Sequence, residues 1–107
     1  MMREKHRYLL VESMNEINEE ERAFYQKLSR EIIRCVGESN YHKINPKLTK
    51  IIDKRRFVLK STLAGINELV LSMALIKRLD GQDCAFYTIK SSGTIRALVS
   101  HGPRNPE

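Results

Sequence analysis

The chain has 107 residues, 41% of them hydrophobic, enough for one compact domain with a single core and too few for two. Its 19 lysines and arginines against 13 aspartates and glutamates give a formal charge of +6, which favours a polyanionic partner. The longest charge-free apolar run, 69–76, falls well short of the ~20 residues of a membrane span, and no signal-peptide pattern opens the chain, so a cytoplasmic protein is expected.

After a charged start over 1–5, HRYLLVES (6–13) reads as a strand, with Tyr8 and Leu10 on one face and Leu9 and Val11 on the other. Asn18 as N-cap and Glu21 three residues later form a capping box that predicts a helix start. Phe24, Leu28 and Ile32, joined by Tyr25, Cys35 and Val36, supply its inward stripe, and Gly37 ends it. The polar segment ESNYHKINP reads as a loop. KLTKIID reads as a basic edge strand, turned at Asp53 and Lys54 into the strand RRFVLKS. Ser61 or Thr62 then caps a second helix whose stripe is Ile66, Leu69, Val70, Met73 and Ala74. Gly81 closes that helix, with Lys77 and Arg78 in its last turn. QDCAFYTIK reads as the last strand and SSGTIRALVS as a closing turn with a short C-terminal helix, so the domain spans 1–100 and 101–107 is a tail.

The order is β-α-β-β-α-β. It predicts an α+β, ferredoxin-like or RRM-like sandwich: a four-stranded antiparallel sheet with two main helices on one face. Alternation places Leu9, Val11, Phe57, Leu59, Tyr87 and Ile89 under the helices. The open face receives Tyr8, Leu10, Arg56, Val58, Lys60, Phe86 and Lys90. The glycine- and aromatic-rich signature of an RNA-recognition motif is missing from RRFVLKS, so base stacking on this sheet is the weaker reading. Tyr8, Leu10, Val58 and Phe86 are instead candidates for protein contact.

Charge is unevenly spread. Lys43, Lys47, Lys50, Lys54, Arg55, Arg56 and Lys60 are interrupted by one acid, Asp53, while Glu16, Glu19, Glu20 and Glu21 crowd into the first connection. With Arg3, Lys5, Arg7, Lys90 and Arg96, the basic residues are candidates for RNA phosphate contact, which positions a nucleic acid without reading its sequence. His6, His42 and His101 are scattered, Cys35 and Cys84 lack metal-ligand spacing, and consecutive glutamates on a helix point in different directions. No catalytic or metal constellation is expected.

Taken together, HRYLLVE (6–12), RRFVLK (55–60), Ala74-Leu75-Ile76 and SGTIR (92–96) resemble archaeal ribonuclease P protein component 2, a family shared with the eukaryotic Pop-five subunit. The resemblance runs from His6 to Leu98; Phe-Val-Leu-Lys stands where members often have Ile-Arg-Val on the third strand. It implies a non-catalytic protein subunit of the ribonucleoprotein that removes the 5′ leader of precursor tRNA. It further implies that the RNA supplies the catalytic centre and its Mg²⁺ and that the protein binds no cofactor. The implied partners are the catalytic domain of ribonuclease P RNA, the TIM-barrel subunit called protein component 3, a second copy in a dimer of heterodimers, and precursor tRNA as substrate of the whole. The other reading is a ferredoxin-like regulatory or self-associating module without RNA. An acylphosphatase-like hydrolase shares the strand order, but 13–18, SMNEIN, has neither the Gly nor the Arg of its phosphate loop.

Overall fold

The computed structural model describes residues 5–96 and 98. β1 (His6–Ser13) alternates apolar side chains to both faces and lies in the sheet interior, followed by α1 (Glu21–Val36) and α2 (Glu38–Ile44). β2 (Lys47–Ile51) and β3 (Arg56–Thr62) form the hairpin, and α3 (Ile66–Leu75) packs back on the sheet. A small hairpin of β4 (Arg78–Leu79) and β5 (Gln82–Asp83) precedes β6 (Phe86–Ser92). The main sheet has the order β2-β3-β1-β6 with every neighbouring pair antiparallel, and the fold is the expected ferredoxin-like sandwich.

Two clusters hold it. The main core joins Phe24, Leu28 and Ile32 of α1 to Leu9, Val11, Phe57 and Leu59 of the central strands and to Leu69 and Met73 of α3. Phe57 meets Phe24 and Phe86 edge-to-face at centroid distances of 5.1 and 5.8 Å, an arrangement the ring quadrupoles favour. A smaller cluster on the other face sets Leu98 on Leu10 and Val58, with Tyr8, Ile52 and Ile95 packed around them. Ile95, Arg96 and Leu98 are helical, as expected of the closing segment, whereas the tail 101–107 lies outside the described residues.

The structure corrects several boundaries. Glu20, not Asn18, caps α1, and no side-chain capping bond forms; Glu21 still meets the positive helix end. The 38–44 segment is a helix rather than a loop, because its one fully buried apolar residue, Ile44, closes the end of the core. Asn45, in the left-handed region at φ 48°, then ends it. Ser61 and Thr62 complete β3, and Gly65 caps α3. α3 stops at Leu75, leaving Lys77 and Arg78 beyond it. Asp80 (φ 53°) and Gly81 (φ 84°) turn the β4–β5 hairpin, as suits an Asp-Gly pair.

The larger correction concerns β6. A register shift between Leu10 and Val11 pairs Leu10 with Lys90 but Val11 with Thr88, so Ile89 is the extra residue of a bulge. Parity along the strand reverses there. Lys90 keeps to the open face, whereas Phe86 turns into the main core and Tyr87 and Ile89, expected under the helices, are exposed.

Candidate nucleic-acid interface

Directly paired residues of an antiparallel sheet share a face, so the strand registers lay out the open side in rows. The first row runs Lys47, Lys60, Tyr8, Ser92. The second runs Lys50, Val58, Leu10, Lys90. The third runs Arg56, Glu12, Tyr87. Lysines thus occupy the β2 and β6 ends of the middle row and the β2–β3 end of the first. None of Lys47, Lys50, Lys60 and Lys90 has an ion-pair partner among the described residues. Lys47 directly opposite Lys60 is a like-charge pair, which disfavours the bare sheet.

The centre of this face is sealed. Leu10 is 1% exposed and Val58 and Leu98 are fully buried, so the closing segment covers the apolar patch and places exposed Arg96 beside it. Of the four residues expected to meet a protein, Leu10 and Val58 lie beneath Leu98, Phe86 is in the main core, and Tyr8 is half-buried at the rim. The Leu98 lid had a sequence signal in the i, i+3 pair Ile95 and Leu98. The bulge that buries Phe86 had none.

The turn from β2 to β3 forms a second basic group at one end of the sheet. Asp53 Oδ1 accepts the backbone N–H groups of Arg55 and Arg56 at 2.9 and 3.0 Å. Its Oδ2 accepts from Arg56 Nε and Nη2 at 3.0 and 2.7 Å. Partial burial works against ionisation of Asp53, but these donors and the Arg56 charge outweigh it and hold the carboxyl below its ordinary value. The lone acid of the basic stretch therefore shapes the turn and ties Arg56, leaving Lys54 and Arg55 exposed.

Other basic candidates lie elsewhere. Arg7 is paired with buried Ser61, on the helix-covered parity, and donates from Nη2 to Ser91 Oγ at 3.2 Å. Lys43 belongs to α2 and faces Glu68 of α3 at 3.4 Å. Lys5 is exposed just before β1, its carbonyl accepting from Leu63 N–H, and Arg3 lies outside the described residues. The face proper is Lys47, Lys50, Lys60 and Lys90, with Lys54, Arg55 and Arg96 at its margins.

Among the described residues no three His, Cys, Asp or Glu side chains stand close enough together to hold a metal ion. Burial, with Glu31 and Asp83 nearby, pushes the Cys84 thiol up, away from thiolate reactivity. No helix of the described residues is long and apolar enough to cross a membrane.

Comparison with known proteins adds two findings. The profile of the Rpp14/Pop5 family matches residues 7–101. A chain in the cryo-EM structure of yeast ribonuclease MRP is similar over 88% of this chain and 78% of its own, with a TM-score of 0.68 and 12% identity, a likeness of fold. No curated protein matches by sequence.

Proposed function

The chain belongs to the Rpp14/Pop5 family, and from that premise we propose that it is a non-catalytic protein subunit of ribonuclease P, working on the catalytic domain of that enzyme's RNA. The observation that carries the proposal is the row geometry of the open face. Three lysines of β2 and β3, Lys47, Lys50 and Lys60, crowd together without acids to balance them. A like-charge cluster costs the isolated fold stability and is relieved by phosphates, so a polyanion that spans the face is its natural complement.

The mechanism is electrostatic. Packed RNA helices repel through their phosphates, and lysines placed between them supply positive charge that Mg²⁺ would otherwise provide, lowering the Mg²⁺ the RNA needs. The aliphatic centre sealed by Leu98 gives bases little to stack on, which suits backbone contact rather than sequence reading. Cleavage chemistry and its metal ions belong to the RNA in this reading, and precursor tRNA is the substrate of the whole particle. The TIM-barrel protein component 3 and a second copy of the chain complete the proposed assembly, in the cytoplasm.

The test is cleavage of precursor tRNA by ribonuclease P RNA at limiting Mg²⁺, with this chain, the component 3 subunit, or both. Stimulation by the pair is expected. With both proteins folded and bound to each other and the RNA active at high Mg²⁺, an unchanged Mg²⁺ requirement would refute the role.

A further inference from the structure

The two long helices differ in what they leave exposed. α1 is amphipathic: Phe24, Leu28 and Ile32 are buried while Arg22, Gln26, Arg30 and Arg34 face water. α3 is apolar on both sides. Its inner face buries Leu69 and Met73, yet Leu71 and Leu75 on the outer side stand 56% and 55% exposed, with Ala74 between them. Its single charge, Glu68, is engaged by Lys43. A helix that is hydrophobic all round is normally covered on all sides, and here one side is bare.

We infer that the outer face of α3 docks into an apolar groove of a different protein, with Leu71 and Leu75 as i, i+4 anchors. Two alternatives suit it less. RNA would find no lysine or arginine among the exposed residues of α3 to meet its phosphates. A second copy crossing helix on helix offers little area: ten residues span only about 15 Å, and two exposed leucines per side fall far below the ~800 Å² per partner of a stable interface. A concave partner can wrap the same leucines and bury the flanks of the helix as well. This inference deepens the proposed function, which includes protein partners, and rests on it for the particle in which it is tested.

The experiment places the photoreactive residue p-benzoylphenylalanine at position 71, and separately at position 50, in tagged chain assembled into its particle in its own cells. Crosslinking from position 71 to another protein subunit is expected, with the product mapping to apolar residues of a groove. Leu71→Glu with Leu75→Glu should then lower the affinity for that subunit about tenfold or more. Both positions are exposed, so the thermal midpoint of the isolated variant should hold. A crosslink from position 71 to RNA, to a copy of this chain, or to no protein overturns the inference, as does full affinity of the double variant. Position 50 reads the RNA role separately: no RNA crosslink there, beside a protein crosslink from position 71, counts against the RNA role and leaves the docking face standing.

Discussion

Gly65 marks a close approach of α3 to α2, where a Cβ would stand 2.6 Å from Ile44 Cα. Thr62 braces the same junction, its Oγ1 donating to the Lys43 carbonyl at 2.8 Å and accepting the Gly65 N–H at 3.0 Å. Gly65→Ala must push α2 away from α3, and the expected loss is about 1–3 kcal/mol in urea unfolding. Gly93→Ala is the control, since its Cβ would meet only the guanidinium end of Arg7, at the ordinary contact distance of 3.5 Å. Asp53 gives a pH signature. Its folded value lies below the ordinary carboxylate range, so its stabilisation is full above about pH 4 and is lost as pH falls through the lower folded value. The stability difference between the wild type and Asp53→Asn should therefore shrink between pH 5 and 2, and a difference constant over that range would refute the turn as the seat of the effect. Asp53 was legible in the sequence as a turn residue, because Asp bonds to backbone a few residues on. Gly65 was not, because its neighbour Ile44 comes from a segment that local pattern reads as loop.

Long elements with a clear period were legible as elements: β1, α1 and the β2–β3 pair fall where alternation and the Phe24-Leu28-Ile32 stripe place them. What pattern could not show was register. One bulged residue at Ile89 reverses the parity of β6, and with it the fate of Phe86 and Tyr87, although the residues themselves are the same. α2 escaped for a related reason, since seven residues carry barely two turns of period. The closing segment permits a direct test. Leu98 is fully buried against Leu10 and Val58, so Leu98→Ala should cost about 2 kcal/mol, the lower end for a buried leucine because its cluster is small. Hydrogen exchange in the 95–98 segment should rise in that variant more than in the α1 core. Uniform exchange changes, or no loss of stability, would show that the segment does not seal the face.

At the scale of the whole molecule, two lysines of the helix layer have carboxylate partners, while among the described residues the four lysines of the open face do not. Lys27 bridges Glu19 and Asp80 at 3.0 and 3.3 Å, and Lys43 meets Glu68. Lys47, Lys50, Lys60 and Lys90 lack such partners among the described residues. The basic stretch could be read from composition, but its division could not, because only the fold sends Lys43 to the helix layer and Lys47 to the sheet. This predicts effects of opposite sign from one substitution. Lys60→Glu sets an acid opposite Lys47, so the free protein should gain up to about 1 kcal/mol at low salt, while RNA affinity falls. A loss of both would mean that the lysine is structural.

The central claim, phosphate contact through the β2–β3 lysines, is tested most directly by the salt dependence of binding to ribonuclease P RNA. Each phosphate contact contributes roughly 0.7 to 0.9 to the slope of log affinity against log salt. The variant Lys47→Gln, Lys50→Gln, Lys60→Gln should therefore bind more weakly with a slope shallower by about 2 to 3. A slope equal to that of the wild type would contradict the claim and move the RNA off this face.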